Sequence, residues 1–192
     1  KCKCGKDRVC LNVNEHGWGG AHMTELDAFR QAKDNFFRQS PQSPLTAKQK
    51  RSFSGLSYFP ENPSLRLEIP AQTTNPTGPV EMQTSTGETK TYSRLGRLHF
   101  QVEGQDAELT IFEDPNGLFL PFVDSLAGSA TYPAGRYLEP EPLPNGCFLV
   151  DFNYAYNPYC AYSAQWSCPL TPFENRLRVA IRAGEMLFDG SH

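Results

Sequence analysis

Leu65-Arg66-Leu67-Glu68-Ile69 alternates apolar and charged residues without a break. Period two is the mark of a strand with one face buried and the other in water. The same period recurs outward from it. Val80–Thr84 and Thr89–Arg94 flank Ser85-Thr86-Gly87-Glu88 and predict a hairpin. Leu98, Phe100 and Val102 alternate with Arg97, His99 and Gln101. Leu109–Phe112 and Leu118–Val123 are separated by Asp114-Pro115-Asn116-Gly117, a strong turn signal. Phe148–Phe152 and Leu177–Ile181 read as the last strands, and Pro70–Pro79 as a turn-rich connection. About eight strands at this spacing predict an antiparallel sandwich or flattened barrel.

Toward the N-terminus the period changes. Leu26, Phe29, Lys33, Phe36 and Phe37 form a mostly apolar stripe at helical spacing, and Thr24 with Asp27 three residues on suits a helix start. Ser40-Pro41 ends this amphipathic helix. Thr46 and Gln49 stand at capping-box spacing and open a second, short helix. The expected class is mainly β, with one N-terminal amphipathic helix and a second short one.

The 192 residues suffice for one domain with a real core. Glycine (15) and proline (16) are frequent, which favours turns and short strands over a helical bundle. A net charge of −3 offers no global field for nucleic acid or an anionic membrane. No apolar run is long enough to span a bilayer and no secretory signal is visible, so a soluble, cytoplasmic protein is expected. Phosphate-binding glycine loops and a nucleophile elbow are absent from the sequence.

Residues 1–22 differ in composition from the rest of the chain. Gly19-Gly20 resembles a linker and Met23 a natural start, so 1–22 is expected to be a tag, linker or fused peptide, and 23–192 a single β-rich domain. Cys2, Cys4, Cys10 and His16 offer three thiolates and an imidazole, a chemically sensible Zn²⁺ set. A cysteine-rich peptide tethered in this way could also be the partner of the domain it precedes.

Chemistry concentrates in Asp151–Leu170, where six aromatics, two asparagines, an aspartate and two cysteines fall within twenty residues. Read as a strand, Asp151 and Asn153 share one face. A sheltered Asp151 needs a partner, and Arg136 in Gly135-Arg136-Tyr137 is the expected one. Tyr154, Tyr156, Tyr159, Tyr162 and Trp166 read either as a binding wall or as cover for a β core. Cys160 and Cys168, eight positions apart, read as a disulfide worth on the order of 2–3 kcal/mol, as paired thiols, as a metal pair short of ligands, or as holding a nucleophile with His99 as its base. Glu185, after Ala183-Gly184, is expected to reach the Asp151 region. Glu139 and Glu141, set among prolines, are expected to be solvated.

Several separated runs also point to a family. They are Ser43-Pro44-Leu45, Phe53-x-Gly55-Leu56-x-Tyr58-Phe59, Thr131-Tyr132-x-x-Gly135-Arg136-Tyr137, Asp151-Phe152-Asn153-x-Ala155-Tyr156-Asn157-Pro158-x-Cys160-Ala161-Tyr162-Ser163, Cys168-Pro169-Leu170-x-Pro172, Asn175-x-Leu177 and Ala183-Gly184-Glu185. In this order they resemble the bacterial and archaeal family known as domain of unknown function 1684, over about residues 26–185. The resemblance implies a soluble prokaryotic domain of this size and transfers no catalytic residue.

Three functions are open to these residues. The first is binding of a small organic or anionic ligand by Arg136, Tyr137, Asp151, Asn153, Tyr156, Asn157 and Tyr162. The second is an enzyme of hydrolase or transferase type, with Asp151 or Glu185 as acid–base and Cys160 as nucleophile. The third is a structural or interaction protein without a pocket. The expected partner is a small molecule or peptide, not nucleic acid or membrane. The sequence leaves the oligomeric state open.

Overall fold

The computed structural model describes residues 23–72 and 78–189. The expected zinc set and extension at 1–22 lie outside the described residues. The fold is mainly β, a curled antiparallel half-barrel flanked by two α-helices among the described residues.

Helix α1 spans Glu25–Gln39 and α2 spans Ala47–Ser52. Both start on the capping boxes expected from sequence. Thr24 accepts from the Asp27 N–H, and Thr46 from the Gln49 N–H, and each N3 side chain bonds back to its cap backbone. Phe37 of α1 is buried with Leu45, Ala161 and Tyr162, so the helices close over the aromatic-rich segment 151–170, the aromatic loop, rather than over the main sheet core.

The strands are β1 (Arg66–Gln72), β2 (Pro79–Gln83), β3 (Thr89–Val102), β4 (Gln105–Asp114), β5 (Gly117–Phe122), β6 (Arg136–Leu138), β7 (Glu141–Pro142) and β8 (Cys147–Asp151). Their order in the sheet is β6-β5-β4-β3-β1-β8-β7, with β2 also on β3. The β2–β3 hairpin pairs Gln83 with Thr89 and Pro79 with Ser93. One long strand, β3, takes up two of the expected runs, and its alternation buries Leu98 and Val102 against Leu109, Ile111, Leu120 and Phe122. Val150 and Ile69 complete that face from the β8–β1 side.

Leu177–Ile181 is not a strand, although its alternation is correct. Leu177, Val179, Ile181 and Ala183 are all buried in the main core. The segment lacks a ladder because its carbonyls take other donors. The Ser125 N–H donates to Val179 O, and the Arg136 guanidinium donates to Ile181 O and Ala183 O. Short strands β6 and β7 replace it in the count. They form the two ends of the sheet order yet are separated in the chain by Glu139 and Pro140 alone. The chain therefore crosses the open seam of the half-barrel in two residues.

Candidate functional site

The residues singled out from sequence divide into an interior lock and an open groove. Arg136 belongs to the lock. Its guanidinium is 1% exposed and donates to Asp124 Oδ2 at 2.5 Å, Ile181 O at 2.8 Å, Ala183 O at 2.5 Å and Glu185 O at 3.1 Å. Burial draws its pKa below the usual arginine range, and the adjacent Asp124 opposes that shift. Thr131 Oγ1 donates to the other oxygen of Asp124. The expected Arg136–Asp151 pair therefore does not form. Asp151 faces Arg66 Nε at 3.4 Å instead.

Glu185 is the second member of the lock. Gly184, at φ +74°, brings it there: a Cβ on Gly184 would lie 2.6 Å from Ala155 O and 2.7 Å from Phe152 O. Glu185 is fully buried and accepts from Lys33 Nζ at 2.7 Å, from the Asn157 backbone N–H at 3.2 Å, from Asn157 Nδ2 at 3.0 Å, and from the Tyr162 hydroxyl. It does not reach Asp151. Burial, then the Glu185 charge, pushes the Tyr162 phenol far above its ordinary range. Asn153 is likewise spent on structure, exchanging hydrogen bonds with the backbone of Asn62. Phe152–Tyr154 is a 3-10 turn, capped by Asp151 through the Asn153 N–H, so the expected shared strand face of Asp151 and Asn153 does not exist.

Over the sheet seam lies a groove of about 1030 Å³. Its floor includes Tyr137, Leu138, Glu139, Glu141, Leu149 and Asp151. One wall is α1, through Glu25, Phe29, Ala32, Lys33 and Phe36; the other is the aromatic loop, through Tyr154, Tyr156, Tyr159 and Trp166. Phe29 and Tyr154 meet edge to face at 5.0 Å and 63°. Tyr159 and Trp166 do so at 5.0 Å and 70°. The Tyr156 hydroxyl donates to Glu139, and the Tyr137 hydroxyl donates to Pro169 O. Burial, and for Tyr156 the Glu139 carboxylate, hold both phenols well above the ordinary range, so both stay protonated. Lys33 Nζ stands 4.9 Å from the Tyr156 ring centroid while paired to Glu185. Of the expected ligand-binding set, Tyr137, Asp151 and Tyr156 line this groove, and Arg136, Asn153, Asn157 and Tyr162 do not.

Sequence reading missed the helical wall and the acidic seam. The α1 stripe, Lys33 included, was visible, but Glu25 and Ala32 flank it and carry no signal of a cavity. Glu139 and Glu141 are solvent-exposed as expected, and both also line the groove.

Cys168 lines the groove beside Ser167, and Cys160 lies behind it. Both are free, buried thiols, so no disulfide joins them. The Cys160 N–H donates to Cys168 Sγ at 3.2 Å, and the Tyr132 hydroxyl to Cys160 Sγ at 3.8 Å. A hydrogen bond from the Cys168 thiol, aided by Tyr132 and opposed by burial, holds Cys160 down to about 6. The same neighbour, with burial, pushes Cys168 up. His99 cannot be a base for Cys160 here: it sits on β3, half exposed, paired with Glu108 at 3.1 Å. No group of three or more metal-ligating side chains occurs among the described residues. No described helix is long and apolar enough to cross a membrane.

A family model described as "Protein of unknown function (DUF1684)" matches residues 51–186. The match begins after α1, so the helical wall of the groove lies outside it. Among solved structures, the solution NMR structure of the uncharacterized protein from gene locus rrnAC0354 of Haloarcula marismortui is similar. It is 38% identical with a TM-score of 0.66, covering 88% of this chain and 95% of that one. No curated protein matches the chain.

Proposed function

The chain belongs to the DUF1684 family of unknown function, and from that premise we propose that it is a binding module for a small organic molecule, seated in the groove over the sheet seam. One observation carries the reading. A cavity of about 1030 Å³ is walled by edge-to-face aromatic pairs and bordered by carboxylates. Pockets of several hundred Å³ with aromatic walls and a few polar groups are the usual seats of small ligands. The anionic ligand expected from Arg136 loses its support, because that guanidinium is enclosed and fully engaged.

The test is a fragment screen with NMR chemical-shift mapping on wild type and Ala32→Trp. Ala32 is exposed on α1 and lines the groove, so a tryptophan there fills the cavity without touching the core. Fragments that perturb Phe29, Tyr156 and Trp166 and lose binding in Ala32→Trp support the reading. Fragments that map elsewhere, or bind the variant equally, overturn it.

One observation favours an enzyme instead: Cys160 sits close behind the groove wall against Cys168 and the Tyr132 hydroxyl, which together draw its thiol below the ordinary range. A thiolate at neutral pH is a competent nucleophile. Asp151 and Glu185 add little to that reading, since each is already engaged by a cation and by hydrogen bonds. Turnover of any groove-binding ester or thioester that vanishes in Cys160→Ser would establish it.

A further inference from the structure

We infer that the groove takes an organic cation: an amine or quaternary ammonium carried on an apolar body. This rests on the reading that the groove binds a small molecule, and it names the chemical class.

Charge is the first ground. Four carboxylates line the groove, from Glu25, Glu139, Glu141 and Asp151, against two basic side chains, Lys33 and Arg66. Both bases are already paired, Lys33 with Glu185 and Arg66 with Asp151. Among the described residues no ion pair engages Glu25, Glu139 or Glu141. The uncompensated charge around the groove is negative, and it repels an anion.

The aromatic walls are the second ground. Ring faces carry the negative side of the quadrupole and attract cations, and tryptophan and tyrosine do so best. This surface already holds one: the Lys33 ammonium lies over Tyr156 at 4.9 Å. The Tyr156 hydroxyl donates to the Glu139 carboxylate, which pushes electron density into the ring and makes its face more negative. At Phe29–Tyr154 and Tyr159–Trp166 the rings stand at 63° and 70° to each other, an arrangement that can offer faces on more than one side of a rounded head group.

Size is the third. A bare metal ion would leave about 1030 Å³ largely empty, and no metal-ligating cluster occurs among the described residues. The ligand therefore carries an apolar body large enough to cover the aromatic walls.

Three isosteric probes test this by NMR titration: phenyltrimethylammonium, neutral tert-butylbenzene, and phenylphosphonate as the anion. The cation is expected to bind about tenfold more tightly than the neutral probe. Raised salt and Glu141→Gln should each weaken the cation severalfold and leave the neutral probe unchanged. If the neutral probe or the anion binds in the groove as tightly as the cation, the charge inference falls and the binding module stands. If no probe perturbs groove resonances at millimolar concentration, the cation inference and the groove reading both fall.

Discussion

Lys33 Nζ lies 2.7 Å from Glu185 Oε2, and this ion pair joins α1 to the buried segment 183–185. Glu185 is fully buried and Lys33 is 14% exposed on its side chain, so neither charge is well solvated. Removing one partner of such a pair strands the other in the interior. Lys33→Met should therefore cost about 3 kcal/mol, read as a lower urea midpoint with an unchanged slope. Lys33→Met combined with Glu185→Gln should recover part of that loss, because the amide keeps partners in Asn157 and Tyr162 without a stranded charge. A double variant less stable than Lys33→Met alone would show that Glu185 needs no cation.

The thiol pair predicts a pH profile. Cys160 is held down to about 6, chiefly by its hydrogen bond from Cys168. Alkylation by iodoacetamide, read out by peptide mass spectrometry, should reach half its limiting rate for Cys160 at a pH below the ordinary thiol range. Cys168→Ala removes that donor and should move the midpoint up by at least one unit. Cys168 itself should stay unreactive across this range, since the same contact and burial push it upward. Equal midpoints for the two cysteines would refute this account of the pair.

The fold was legible wherever alternation met a ladder, and the site was legible only as a neighbourhood. Leu98, Val102, Leu109 and Ile111 announce their face by period two, and Thr24 and Thr46 announce their helices by cap spacing. Leu177–Ile181 misled because alternation reports burial, and burial here comes with side-chain donors in place of a neighbouring strand. In β6, Arg136, Tyr137 and Leu138 are all buried, so no period marks the strand; in β7, two exposed residues are too few to show one. The aromatics of 151–170 were visible as a cluster. Their division was not, because 3-10 turns interrupt the segment and no simple period assigns faces. Phe152 and Tyr162 go to the core, and Tyr154, Tyr156, Tyr159 and Trp166 to the groove.

Buried phenols predict an alkaline limit to stability. Burial raises Tyr58, Tyr137, Tyr156 and Tyr162 well above the ordinary tyrosine value of 10.0, and Tyr92 to about 12. Their folded-state values exceed those of the unfolded chain, so the neutral phenol is favoured by folding. That contribution is fully present below pH 10 and is lost as pH rises toward the folded values. Each such group then costs about 1.4 kcal/mol per pH unit. The melting temperature should fall steeply above pH 10. Tyrosinate absorbance from these groups should appear together with unfolding; its appearance in the folded state at pH 10 would contradict the burial argument.

Gly184 and Gly104 share nearly the same backbone angle, φ +74° and +77°, and differ in their surroundings. A side chain at Gly104 meets nothing within 4 Å, whereas at Gly184 it meets Ala155 O at 2.6 Å and Phe152 O at 2.7 Å. Left-handed backbone alone penalises alanine by about 1 kcal/mol. Gly104→Ala should cost that much and no more. Gly184→Ala adds a clash with two carbonyls of the turn that faces Glu185, and should cost about 3 kcal/mol or more. The displaced Glu185 would also loosen Lys33, so α1 should lose amide-exchange protection in Gly184→Ala and keep it in Gly104→Ala. Equal costs for the two variants would mean that the terminal segment yields to the added methyl, and that Gly184 is not what seats Glu185 under the helix.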